Sequence, residues 1–222
     1  MGKEKKHEEI LQVTASMLET GDMIKVGIGI IKDSQQQEVY ELIAAILDVR
    51  KAGKKVVGIA EGRSALVLLS FLMRLVHLNI HAYISGEFTT PSIKEDDLII
   101  VVSGSGATDI NVARCETLKK AKIPGVKIIL ITYDPESLMA KECADTVICL
   151  PEKEAIIERR KQLDGNYLRS QLVEAAPLGS FFELIAHTFL NAIIARLMKI
   201  TGVTEETMQN AHVRDKITQT KH

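Results

Sequence analysis

Three hydroxyl side chains and two glycines lie together at Ser103-Gly104-Ser105-Gly106-Ala107-Thr108. An apolar run at 97–102 (DLIIVV) precedes them and a helical pattern at 109–120 follows. Glycine lets backbone N–H groups close on an anion, and a helix starting there adds the partial positive charge of its N-terminus. Each hydroxyl can give a phosphate oxygen a charge-assisted hydrogen bond worth about 1.5–3 kcal/mol. The same residues also suit a plain turn in which Ser or Thr caps the helix. One Ser-Gly pair would favour the turn; this cluster, at this place, favours phosphate.

A second loop of the same kind follows the apolar run 55–60 (KVVGIA) and reads Ala60-Glu61-Gly62-Arg63-Ser64-Ala65. Gly62 permits a tight turn, Arg63 is a permanent cation, and Ser64 can cap the next helix while facing a ligand. Glu61 stands out. A carboxylate about 4 Å from a phosphate would oppose it by about 4 kcal/mol at an effective dielectric of about 20. It must therefore point away, pair with a cation such as Arg63, or meet another part of the ligand. Neither loop is a G-x-G-x-x-G or a G-K-[ST] phosphate motif.

The elements that must position these loops follow from periodicity. Residues 8–19 have a fair helical pattern. Val39, Leu42, Ile43, Ile46 and Leu47 form a clear amphipathic series, ended by Gly53. Short apolar runs at 55–60, 80–84, 97–102, 126–132 and 145–150 alternate with helical patterns at 65–77, 109–120 and 135–143. Such alternation predicts βαβ units, so the expected fold is a three-layer α/β/α domain with a five-stranded parallel sheet and extra N- and C-terminal helices. In such sheets ligands bind beyond the carboxyl ends of the strands, where both loops lie. Within one domain spanning 1–222 we expect N-terminal helices at 1–53, the sheet core at 54–150, a charged and mobile excursion at 151–176 and C-terminal helices at 177–222. The last include a long helix over 180–198, apolar almost all round and expected to be buried.

Composition narrows the function. Lys+Arg number 28 against 29 Asp+Glu, a balance that gives no reason to expect nucleic acid. Cys115, Cys143 and Cys149 lack C-x-x-C spacing, so neither a disulfide framework nor a zinc site is expected. They read as buried small apolar residues in a reducing compartment. With no targeting segment at the N-terminus, a cytoplasmic location is expected. The longest apolar stretch, 178–200, is interrupted by Glu183, His187, Asn191 and Arg196, which makes it a poor membrane span.

Longer motifs refine this. Ser103, Ser105 and Thr108 match the S-x-S-G-x-T loop of the SIS (sugar isomerase) domain, a flavodoxin-like fold. Gly62-Arg63-Ser64 with Met73-Arg74-Leu75-Val76-His77-Leu78 resembles the "GRS…MRLxHL" segment of 6-phospho-3-hexuloisomerases. Gly86-Glu87-Phe88-Thr89-Thr90-Pro91 is similar to their "GETTTP", and 97–108 to "DLLIxxSGSGxT". Pro177-Leu178-Gly179-Ser180-Phe181-Phe182-Glu183 looks like "PMGSxFE", and 208–212 like the C-terminal "MxxRHANLE".

The resemblance implies a homotetramer, or a dimer, that interconverts D-arabino-hex-3-ulose 6-phosphate and fructose 6-phosphate without metal or cofactor. It implies Gly62, Arg63, Ser64, Ser103, Gly104, Ser105 and Thr108 as phosphate and substrate contacts, with Glu87 and Thr89 beside them. It implies Glu183 as the general base; partial desolvation at a helix start would strengthen that carboxylate as a base, although Glu in a first turn also caps a helix. His212 is implied as a second polar group, offered by a neighbouring subunit. His77 reads as packed, and His187 as an ordinary helix partner of Glu183. The sequence departs from the family pattern at Ala60, Glu61, Phe88 and Arg214. A non-catalytic SIS-domain regulator and an arabinose 5-phosphate isomerase are the alternative readings.

Overall fold

The computed structural model describes residues 3–163 and 180–211. In chain order the elements are α1 (Lys3–Ser34), α2 (Gln36–Ala52), β1 (Lys55–Ile59), α3 (Gly62–His77), β2 (His81–Ile84), β3 (Leu98–Val102) and α4 (Asp109–Ala121). They continue as β4 (Lys127–Thr132), α5 (Leu138–Glu142), β5 (Thr146–Cys149), α6 (Lys153–Leu163), α7 (Ser180–Thr201) and α8 (Glu205–Ala211).

Five strands pair in the order β2-β1-β3-β4-β5, all parallel. The expected parallel sheet is therefore present. The chain reverses its direction of travel between β1 and β3, so their carboxyl ends frame the crevice of a topological switch point. Side chains alternate across the sheet. Val56, Leu98, Ile100, Val102, Ile129 and Ile131 join the larger core beneath α1–α3 and α6–α8. Val57, Ile59, Ile99, Val101, Ile128 and Leu130 join the smaller core beneath α4 and α5. Both faces are covered, which is why the central strands read as continuous apolar runs.

α2 ends as expected. Gly53 sits at φ 63° and its N–H reaches back to Arg50 O, the left-handed cap for which glycine carries no steric cost. α1 differs: the helix expected over 8–19 continues to Ser34 through Gly21, Gly27 and Gly29. Packing outweighs glycine's low helix propensity here, since a Cβ on Gly27 would lie 2.4 Å from Ile185 Cδ1 of α7.

The expected mobile excursion is corrected over its first part. Lys153–Leu163 forms α6, which buries Ile156 and Ile157. Its Arg160 pairs with Glu19 (2.7 Å) and Asp22 (3.3 Å) of α1. The remainder of the excursion, 164–176, lies outside the described residues. α7 is also less enclosed than expected: Leu184 and Ile200 are exposed opposite a buried face running from Phe181 to Leu197. By length and composition α7 can cross a membrane, yet half of its most apolar stretch is packed against the rest of the protein.

Candidate active site

The phosphate-type loop leaves β3 at the switch point. Ser103 is buried, and its hydroxyl lies 3.4 Å from that of Thr108. Thr108 occupies the N-cap position of α4 but makes no side-chain cap bond, so its hydroxyl is not consumed by the capping role considered from sequence. Ser105 is exposed, and its oxygen accepts the Ala107 N–H at 3.3 Å. Gly106 has φ 58° and donates to Ser103 O at 3.2 Å. A Cβ there would stand 2.1 Å from Ser137 Oγ, so only glycine fits. From below, Thr132 Oγ1 donates to Gly104 O at 2.7 Å and ties the loop to the end of β4.

The second loop leaves β1 beside it. α3 begins at Gly62, with φ 59°, and Ser64 lies within its first turn rather than at its cap; the N-cap position is Glu61. The residues on either side of Gly62 turn to opposite faces of the sheet. Arg63 Nη2 donates to Glu183 Oε2 of α7 at 2.8 Å, on the side of the larger core. Glu61 Oε1 accepts from Arg114 Nη1 of α4 at 2.6 Å, on the other side. Of the three alternatives open to the carboxylate absent from the family pattern, the structure shows pairing with a cation, and that cation is Arg114 rather than Arg63. The guanidinium also stands beside the turn after β2, where a Cβ on Gly86 would meet Arg114 Nη2 at 3.0 Å.

Glu183 is brought to the phosphate-type loop by its neighbour. Phe182 and Tyr133 stack edge to face with ring centroids 5.9 Å apart. A Cβ on Gly104 would lie 3.0 Å from Tyr133 Cε1 and 3.3 Å from Phe182 Cδ1, so the bare backbone of Gly104 lets the start of α7 close on the loop. Glu183 keeps about a fifth of its side chain exposed (21%) and is held by a guanidinium. The carboxylate is thus partly withdrawn from water, as expected from sequence, and it is also ion-paired.

Glu87 and Thr89 lie exposed in the turn after β2. That turn is closed instead by Thr90, whose hydroxyl donates to Ile84 O at 2.6 Å. No hydrogen bond joins Glu87 or Thr89 to the two loops among the described residues. His77 is buried, as its apolar helix suggested, and His187 is exposed. His212 and Arg214 lie outside the described residues. Sequence reasoning passed over Arg114, Tyr133 and Phe182. The one available signal for Arg114 was the carboxylate of Glu61, which demanded a cation.

Residues 72–163 match the SIS domain family model. The chain is 40% identical over 164 residues to the 3-hexulose-6-phosphate isomerase of Methylomonas aminofaciens, covering 74% of this chain and 81% of the relative. It is 32% identical over 198 residues to the enzyme of that name from Methanocaldococcus jannaschii, covering 89% and 97%. A crystal structure of a Methanococcus jannaschii protein, from which a 3-hexulose-6-phosphate isomerase function was inferred, superposes with a TM-score of 0.68 at 29% identity, over 88% of this chain and 98% of that one. An Escherichia coli protein shares the fold, with a TM-score of 0.67 at 19% identity over 96% of this chain and all of that one. The chain therefore belongs to the SIS domain family, together with the 3-hexulose-6-phosphate isomerases.

Proposed function

We propose that the chain is a phosphosugar isomerase that interconverts D-arabino-hex-3-ulose 6-phosphate and fructose 6-phosphate without a cofactor. The observation that carries the reading is the convergence of two groups on one crevice. The Ser103–Thr108 hydroxyls offer donors for a phosphate. The Glu183 carboxylate stands at the same mouth, with Phe182 packed on Gly104 and Arg63 in its grip. Phosphate binding fixes one end of the sugar, which converts proton transfer at the other end into an oriented step.

The chemistry is an internal redox exchange. Glu183 takes the proton from C2, and the C2–H electron pair forms the C2–C3 double bond while the C3 carbonyl oxygen gains charge. The O2 proton then passes to O3 as the C2 carbonyl forms, and protonated Glu183 returns a proton to C3. C3 is reduced, C2 is oxidised, and no outside electron carrier is needed. Arg63, about half exposed (52%), is the donor available to the enediolate oxygen once substrate enters. A positioned general base contributes roughly 10²–10⁴-fold.

Glu183→Gln is expected to remove exchange of the C3 proton of fructose 6-phosphate with solvent while sugar-phosphate binding survives. Exchange at the parental rate in that variant would sink the assignment of the base. No exchange in the parent protein, despite tight binding, would sink the isomerase reading. We also propose that a second copy of the chain covers α3. Leu66, Leu69, Met73 and Val76 form one exposed apolar stripe along that helix, whose first turn carries Arg63 and Ser64. A two-fold contact sets the same stripe against itself and buries it twice over.

A further inference from the structure

The base and the phosphate-type loop belong to different parts of the chain. Ser103–Thr108 follows β3, whereas Glu183 stands in the first turn of α7. A proton can leave C2 of a sugar held by its phosphate only if the distance between loop and carboxylate is fixed. The Arg63–Glu183 ion pair does not fix it. Arg63 stands on α3, not on the loop, and its guanidinium is the donor assigned to the enediolate oxygen. What joins α7 to the loop is a packing contact one residue before the base, where Phe182 meets Gly104.

Tyr133 is the third member of that contact. It follows β4 directly, and its Cε1 and Cδ1 would lie 3.0 and 3.4 Å from a Cβ on Gly104. Phe182 Cδ1 would lie 3.3 Å from the same point. The two rings meet at 79°, the edge-to-face geometry that aromatic pairs favour. Rings from β4 and α7 thus converge on one glycine of the loop. The main chain of Tyr133 is held as well. Its N–H donates to Gly104 O at 3.1 Å, and its carbonyl accepts the Cys149 thiol of β5 at 3.5 Å. The ring therefore stands on a backbone tied to the loop on one side and to the next strand on the other. Among the described residues the Tyr133 hydroxyl makes no hydrogen bond, so the ring, not the phenol oxygen, makes the contact.

We propose that Tyr133 is a positioning residue for proton transfer: through Phe182 it sets where the Glu183 carboxylate stands relative to the bound phosphate. The proposal rests on the isomerase reading of the site, and its test separates the two. The parent is compared with Tyr133→Phe, Tyr133→Leu, Phe182→Leu and the double Leu variant, all below the lowest melting temperature of the set. Four quantities are measured: kcat and KM for fructose 6-phosphate, affinity for inorganic phosphate by calorimetry, and the melting temperature.

A parent that does not isomerise fructose 6-phosphate sinks the isomerase reading, and the role of Tyr133 with it. In an active parent, Tyr133→Leu should lower kcat about 10–100-fold, since a misplacement of about 1 Å can cost about 10²-fold. KM and phosphate affinity should stay near the parental values. The loop keeps its own supports in that variant, because the bonds from Tyr133 N–H and Thr132 Oγ1 to Gly104 O do not involve the ring. Phe182→Leu should behave in the same way, and it carries the same expectation if Tyr133→Leu does not fold. The double variant should fall little further, because both substitutions remove one contact. Tyr133→Phe keeps the ring and should keep the parental kcat. Parental kcat in the Leu variants, even with a lowered melting temperature, would overturn the proposal and leave the rings as core packing. A phosphate affinity that falls as far as kcat, or a loss in Tyr133→Phe as large as in Tyr133→Leu, would overturn it as well.

Discussion

Replacing Gly106 with Ala separates two effects that a left-handed glycine usually mixes. The backbone term comes from φ 58°, where an L side chain costs about 1–2 kcal/mol. The packing term comes from Ser137, whose Oγ and Cβ would lie 2.1 and 2.5 Å from the new methyl group. Turning the Ser137 side chain cannot clear a contact with its own Cβ, so the backbone must move, at about 1–3 kcal/mol for overpacking. Ser137 also caps α5 by accepting the Ala140 N–H. Losing that cap adds about 1 kcal/mol. A total of about 3–6 kcal/mol corresponds to a fall in melting temperature of roughly 10–15 °C for a chain of this size.

Gly62→Ala is the internal control. Its φ is 59°, but nothing lies within 4 Å of the added Cβ, so only the backbone term applies and the fall should be about 4 °C. The double variant Gly106→Ala/Ser137→Gly removes the obstructing side chain, and glycine replaces a Ser cap at a cost of a few tenths of a kcal/mol. It should melt near Gly62→Ala. Scanning calorimetry reads all three, and titration with inorganic phosphate should show Gly106→Ala binding at least tenfold more weakly, because the loop turns on that residue. Equal melting of Gly106→Ala and Gly62→Ala, or no recovery in the double variant, would refute the packing argument.

Two further outcomes are expected. Burial pushes the Cys115 thiol up to about 12 from 9.0 and raises that of Cys143, so at pH 8 neither should react with iodoacetamide until urea unfolds the chain. The folded thiol of Cys115 holds its proton more tightly than the unfolded one; its contribution to stability is complete below about pH 9 and is lost as pH rises toward 12. Leu69→Glu, in the middle of the exposed stripe of α3, should lower the mass measured by light scattering toward that of one subunit, and an unchanged mass would exclude that face as the contact.

Features that depend on neighbours along the chain could be read from the order of residues. The apolar runs 55–60, 97–102 and 126–132 read as buried parallel strands because both faces of the sheet are covered. The Ser103–Thr108 loop read as an anion site because strand, glycines, hydroxyls and helix follow one another directly. Gly53 marked a helix end because a left-handed cap is a local event. Which charges meet, by contrast, is settled only when the chain folds. Arg63 and Glu183 are 120 residues apart, and Glu61 and Arg114 are 53 apart. No periodicity records such pairs, so the sequence left the partner of Glu61 open and Arg114 went unnoticed. The same cause extended α1 to Ser34 and made a helix of 153–163. Glycines inside α1 and charges along α6 are unfavourable or neutral taken alone, and become favourable only when Ile185 and Glu19 arrive from distant parts of the chain.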